Sequence, residues 1–321
     1  MKKGKTINEQ LEKLSGRKLE IPDYDRAYKT LQNVNYYTLT GFLFPFKNKQ
    51  LDCYNPGTSF DLAIDRYYFD SEVRTILLGL VSEAEEMLKT RIAYNIAIHH
   101  KDDPLIYTDV NYWSSSQEHR RFMIDFQKSI ANNSEVLFVR HHINQYRGQF
   151  PIWVAVNLMT LGNLKYLYKN IPSRDRKNVS KDLNLSPKTL DSWIDSLRVL
   201  RNKLAHNMRL YGETFINTPK WEKHHTNRYQ TNKLYINIIL LSYILKDSPV
   251  LESHLLRLAE TIDKYRTVIE LSDLGFPSNW KENLHLPNLK TENHNRQINS
   301  NNVSSIPRNK SSRLRFKTKN R

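Results

Sequence analysis

The sequence predicts an all-α fold, and three observations carry that expectation. Glycine is scarce, 9 in 321 residues, which disfavours glycine-rich phosphate loops and a succession of tight β-turns. Apolar residues recur at spacings of three and four in one long segment after another. No alternating strand pattern of useful length, no βαβ rhythm and no internal repeat interrupts them.

Taken in order, residues 7–15 and 24–42 are the first two helical candidates. The second runs into an aromatic block, Asn35-Tyr36-Tyr37-Thr38-Leu39-Thr40-Gly41-Phe42-Leu43-Phe44-Pro45-Phe46, which Gly41 and Pro45 stop. Ser71 opens a long helix to about His99, with Val73, Ile76, Leu77, Leu80, Val81, Ala84, Met87 and Leu88 at helical spacing. Residues 116–132 and 135–145 read as two further helices. Pro151, at a first helical position, opens the apolar segment Ile152-Trp153-Val154-Ala155-Val156-Asn157-Leu158-Met159. Ser186 is an N-cap followed by Pro187, and the helix they open runs through Trp193 to about Arg209. Apolar segments at 231–246 and 250–271 close the fold before Gly275 and Pro277. The run Ile238–Leu245, closed by Lys246, falls far short of the roughly 18 apolar residues of a membrane span and reads as a buried helix. The expected organisation is an N-terminal helical segment over 1–60 packed on a helical domain at 61–289, followed by a tail at 290–321.

Net charge is +16, and it is uneven. Residues 290–321 hold nine Lys or Arg against one acid, Glu292, hence +8; the other 289 residues hold 40 basic and 32 acidic side chains, also +8. The tail is rich in Asn and Ser and poor in large apolar residues, which reads as a disordered basic arm. Such an arm gathers RNA by counterion release or simply keeps the chain in solution. A single cysteine, Cys53, excludes an internal disulfide and any multi-cysteine zinc site. The basic N-terminus is followed by no apolar segment, so a cytoplasmic protein, with no membrane partner, is the simplest expectation.

The segment that bears most on function is Arg201-Asn202-Lys203-Leu204-Ala205-His206-Asn207-Met208-Arg209. An imidazole exchanges a proton near neutral pH and a guanidinium holds a phosphate. On a continuous helix Leu197, Leu200, Leu204, Met208 and Tyr211 share a core stripe, and Arg198, Asn202, His206 and Arg209 share a polar one. Arg201 falls between the two, near the edge of the core, and Ala205 leaves room beside the polar stripe. An Arg-x4-His spacing alone carries little weight, since about one match arises by chance in a chain of this size. A solvated helix face is the competing explanation.

Other candidates are weaker. The adjacent pairs His99-His100, His141-His142 and His224-His225 point apart on a helix and chelate poorly, and His119 and His254 lack a ligand-spaced partner. Asp65, Asp70, Glu72, Glu83, Glu85 and Glu86 spread around a helix and read as ion-pairing groups rather than a magnesium site. Tyr36, Tyr37, Phe42, Phe44 and Phe46 read as core before they read as base-stacking rings. Cys53 has no base beside it and reads as inert.

Several separated segments together resemble one family. They are Asn35-Tyr36-Tyr37 with Gly41 and Phe44-Pro45-Phe46, the stretch around Asp70, Arg74 and Glu85 leading to Ile92-Ala93-Tyr94, the Pro151–Val156 block with Leu161-Gly162-Asn163-Leu164, and Arg201-Asn202-x-x-Ala205-His206-x-x-Arg209-Leu210. In this order, over residues about 7–215, the chain resembles the Abi family of bacterial abortive-infection proteins, the Abi-D/Abi-F group, within the HEPN superfamily. The resemblance implies an HEPN-like helical bundle with additional N- and C-terminal helices, and a homodimer. It also implies a metal-independent endoribonuclease toxin with no cofactor, with Arg201, Asn202 and His206 as catalytic positions. RNA is the expected partner, as substrate and as a regulatory non-coding RNA, with Arg198, Lys203, Arg209, Arg313, Arg315 and Lys317 as its contacts. The alternative is a non-catalytic RNA-binding HEPN module.

Overall fold

Short polar caps set where the helices begin. The computed structural model describes residues 3–223 and 231–286. Every element below belongs to one compact unit, Met1–Pro287. The basic tail, with Arg313, Arg315 and Lys317, lies outside the described residues, as do His224 and His225.

Helix α1 (Ile7–Ser15) opens with a capping box: the Thr6 hydroxyl accepts from the Glu9 N–H and the Glu9 carboxylate accepts from the Thr6 N–H. The helix expected over 24–42 is broken in two. Helix α2 (Tyr24–Asn33) starts at Asp23, Val34 and Asn35 are extended, and the Asn35 side chain then caps α3 (Tyr36–Thr40) by accepting from the Tyr37 N–H. Beyond it the chain tightens into a 3-10 helix, Gly41–Phe46, where Pro45 supplies no N–H. Two-residue strands β1 (Lys47–Asn48) and β2 (Cys53–Tyr54) pair antiparallel.

Helix α4 (Phe60–His99) is the spine, about 60 Å long at 1.5 Å per residue. It starts at Phe60 rather than Ser71, because the Ser59 hydroxyl accepts from the Leu62 N–H and sets the first turn. Helices α7 (Ile152–Ala155), α9 (Ser173–Asp182), α10 (Pro187–Ala205), α11 (Leu234–Ile244) and α12 (Val250–Lys264) all pack against it. This explains why its buried residues spread around the helix instead of forming one stripe. Gly79 admits α12: a β-carbon there would lie 2.6 Å from His254 Nε2.

Helix α5 (Ser116–Asn132) packs on α8 (Leu161–Asn170), and α8 in turn on α10; α6 (Leu137–Gln145) and α13 (Trp280–Asn283) complete the set. The apolar segment after Pro151 is shorter than its composition predicts. Pro151 is the N-cap of α7 rather than its first residue, and the helix gives way to a 3-10 turn at Val156–Leu158. The segment at 250–271 ends its α-helix at Lys264 and resumes as a 3-10 turn at Leu271–Leu274. Helix α11 carries the Ile238–Leu241 run deep in the core. Among the described residues no helix is long and apolar enough to cross a membrane.

Candidate functional site

Helix α10 ends at Ala205, inside the segment singled out above. The His206 N–H reaches Asn202 O at 3.1 Å and closes the last turn. Asn207 then takes φ +51°. Its N–H donates to Leu204 O at 3.2 Å, and the Met208 N–H donates to Lys203 O at 2.9 Å. These two bonds and the left-handed residue make a Schellman termination, with Asn in the place glycine usually takes. The continuous polar stripe predicted from periodicity therefore stops at Asn202, and His206 and Arg209 leave the helix. Met208, which the periodicity assigns to the core, is 50% exposed. Arg201 is exposed rather than at the core edge, and Ala205 is exposed beside it.

Buried groups on other elements fix the chain after this turn. The Asp70 carboxylate, on α4 and wholly buried, accepts from the Leu210 N–H at 3.0 Å and the Tyr211 N–H at 2.8 Å. Arg74 donates to its other oxygen. Burial pushes the Asp70 carboxyl up to about 6, against the opposing pull of Arg74 and the two N–H groups. Arg209 donates to the Gly41 carbonyl and, through Nε at 3.0 Å and Nη2 at 2.5 Å, to Glu213 Oε1. Its guanidinium lies 5.6 Å from the Phe42 ring centroid. A β-carbon at residue 41 would stand 3.3 Å from Arg209 Nη1, so close approach, not an unusual φ, favours glycine there. Tyr211 donates its hydroxyl to Asp273 at 2.8 Å and accepts from the Glu270 N–H at 2.9 Å. Burial raises that hydroxyl to about 12. Arg66 places its guanidinium 4.8 Å from the Tyr211 ring and 5.0 Å from Phe46. Three segments distant in sequence, around residues 41–46, 66–74 and 270–273, thus converge on the chain just after α10.

The cations of α10 divide into paired and unpaired. Asp195 accepts from Lys165, from Arg198 at 3.0 Å and 2.9 Å, and from Asn217. Burial would raise this carboxyl, but Lys165 and Arg198 together outweigh it and hold it below the usual carboxylate range. Lys203 sits 4.0 Å from Glu213 Oε2 and 5.4 Å over the Phe215 ring. Arg198, Lys203 and Arg209 are therefore each held by an intrachain partner. The side chains of Arg201, Asn202 and His206 form no hydrogen bond or ion pair among the described residues. An exposed guanidinium, a half-buried amide and an exposed imidazole thus lie at the end of α10, groups that can hold a phosphate and exchange a proton.

Most of the remaining candidates among the described residues have structural partners. His100, at the C-cap of α4, places Nε2 2.9 Å from Asp175 Oδ2, to which Tyr112 also donates at 2.6 Å. His99, His142 and His254 each bond the backbone carbonyl four residues earlier, and His119 bonds Thr108 O. Among the acids, Asp65 pairs with Arg26, Glu72 with Lys264 and Glu85 with Lys89. Among the described residues no three His, Cys, Asp or Glu are grouped to hold a metal ion. The Asp195 cluster is tertiary, and the spacing Asp195-x-x-Arg198 is its one local signal in the sequence.

A family model described as Abi-like protein matches residues 29–212, from within α2 to the loop after α10. That span contains Gly41, Asp70, Arg201, Asn202, His206 and Arg209. No curated protein and no solved structure matches the chain.

Proposed function

The chain belongs to the Abi-like protein family, and from that premise we propose that it is a metal-independent endoribonuclease of the HEPN type that acts in abortive infection. The observation that carries this reading is the contrast at the end of α10: among the described residues the side chains of Arg201, Asn202 and His206 have no intrachain partner, whereas their basic neighbours Arg198, Lys203 and Arg209 all do. A polar set kept unpaired on an anchored scaffold suits a substrate better than it suits stability.

In the proposed reaction the ribose 2′-hydroxyl attacks its own adjacent phosphorus. His206 takes the proton from that hydroxyl, or, as imidazolium, gives one to the leaving 5′-oxygen as the P–O5′ bond breaks. Arg201 binds the non-bridging oxygens and opposes the charge that grows on them in the transition state. Asn202, whose carbonyl already receives the His206 N–H, orients the imidazole or donates to the phosphate. The products are a 2′,3′-cyclic phosphate and a 5′-hydroxyl. DNA lacks the 2′-hydroxyl and is bound without being cut. In a homodimer two copies of His206 supply one base and one acid. The tail residues Arg313, Arg315 and Lys317 add phosphate contacts, for substrate or for a regulatory RNA; Arg198, Lys203 and Arg209 do so by exchanging their intrachain partners for phosphate.

The test is incubation of the full chain, in excess EDTA, with end-labelled single-stranded and structured RNA, beside Arg201→Ala and His206→Ala. Cleavage to cyclic-phosphate ends, lost in both variants, is the expected result. Cleavage by His206→Ala at the rate of the unmodified chain would refute the assignment. Salt-sensitive binding with no cleavage would favour a non-catalytic RNA-binding module.

A further inference from the structure

The aromatic block at 35–46, read from sequence as core, is divided by the fold. Phe42 is buried, but Tyr37 is 77% exposed and Phe44 59%. Tyr36 and Tyr37 line an open cleft of about 330 Å³, at the lower end of the roughly 300–1,000 Å³ of small-ligand sites. Lys3, Lys5 and Lys13 line the same cleft and no acidic side chain does. The Gln10 amide donates to Lys5 O at 3.0 Å and holds the leading segment against α1. The Lys13 ammonium lies 5.8 Å from the Tyr36 centroid. Tyr36 meets Tyr37 edge to face, centroids 5.5 Å apart at 89°, so the pair does not stack on itself. On the adjoining 3-10 helix, Phe44 carries the Lys49 ammonium 5.0 Å from its centroid. One turn after Tyr37, at the end of α3, the Gly41 carbonyl accepts from Arg209, which joins the helix bearing Tyr36 and Tyr37 to the segment bearing His206.

We infer that this cleft is a subsite for single-stranded RNA, in which a base stacks on Tyr37 and Lys3, Lys5 and Lys13 neutralise the adjoining phosphates. An exposed ring beside lysines, in a cleft that no carboxylate lines, is what an unpaired polynucleotide requires: a π-face for any base and cations for the backbone. A duplex hides its base faces and leaves the Tyr37 ring without a partner. The choice of RNA over DNA rests on the ribonuclease reading above; the single-strand preference rests on the cleft.

The experiment measures equilibrium binding of a labelled oligouridine to the full chain in a His206→Ala background, so that cleavage plays no part. Tyr37→Ala should weaken binding about 5-fold or more, Tyr37→Phe should retain it, and duplex RNA should be insensitive to both. The triple variant Lys3→Ala, Lys5→Ala, Lys13→Ala should lower the slope of log affinity against log salt by about 2, at roughly 0.7 per single-strand phosphate contact. Melting temperature is measured alongside, and an exposed ring such as Tyr37 should leave it unmoved. Affinity within 2-fold in Tyr37→Ala overturns the subsite. So does retention on phosphatidylglycerol vesicles that both variants abolish while oligouridine binding persists, since the cleft would then be a membrane-facing surface. A chain that never cleaves yet binds oligouridine through Tyr37 would refute the nuclease and leave the cleft standing.

Discussion

Asp70 accepts the backbone N–H of Tyr211 at 2.8 Å, across 141 positions of sequence. With the Leu210 N–H as second donor, one buried carboxylate secures the chain just beyond the turn that carries His206. Asp70→Ala leaves two buried N–H groups unpaired and Arg74 without its counter-ion, a loss of about 3–5 kcal/mol. Asp70→Asn keeps an amide oxygen for the N–H groups and should cost clearly less. Urea unfolding of the two variants checks the order, and equal losses would mean that the charge, not the acceptor, holds the loop.

Because the folded-state Asp70 carboxyl is raised from 3.8 to about 6, the folded chain binds this proton more tightly than the unfolded one. Its ionised form is disfavoured on folding at pH above 6, by roughly 3 kcal/mol as an order of magnitude. Stability from this group should therefore rise as pH falls from about 6 towards 4. The difference in unfolding free energy between the unmodified chain and Asp70→Asn should widen over that window. A difference that narrows would show that Arg74 and the two N–H groups outweigh burial.

Arg201→Ala and His206→Ala should shift unfolding free energy by no more than about 0.5 kcal/mol, since both side chains are exposed and unpaired. Arg209→Ala should cost on the order of 1–2 kcal/mol, because it removes the bonds to Glu213 and Gly41 and the contact with Phe42. Thermal melts of the three variants separate exposed, unpaired side chains from one that holds the turn in position. A large loss in His206→Ala would assign that ring to the scaffold.

What the sequence made legible follows the physics of each segment. Helices with a clear apolar period and a polar cap, such as α1, α5 and the start of α10, stand close to where pattern places them. The first three turns of α4 do not show in the pattern, because buried Arg66 and Asp70 occupy core positions and disguise the period. Helix α9 does not show either, because SRDRKNVSKD buries little beyond Asp175, Val179 and Ser180 and has almost no apolar face to read. Arg201, Asn202 and His206 stand out in the sequence as candidates, but their setting does not. A hydrophobic period continues through Met208, and nothing local says that an asparagine will turn left-handed. Convergence of Gly41, Asp70 and Arg209 is tertiary and has no local signature.

Asn207 provides the sharpest test of that setting. Its φ of +51° is the left-handed conformation, which costs an L-residue other than Asn, Asp or Gly roughly 1–2 kcal/mol. Asn207→Gly should keep or slightly raise the melting temperature, and Asn207→Val should lower it by that cost. If the Schellman turn is what aims His206, cleavage should follow the same order: retained in Asn207→Gly, and reduced in Asn207→Val by more than the unfolded fraction explains. The valine side chain pushes the turn towards continued helix, which rotates residue 206 and releases the bond from Met208 N–H to Lys203 O. Full cleavage by a folded Asn207→Val would mean that the imidazole reaches its substrate whatever the helix end does.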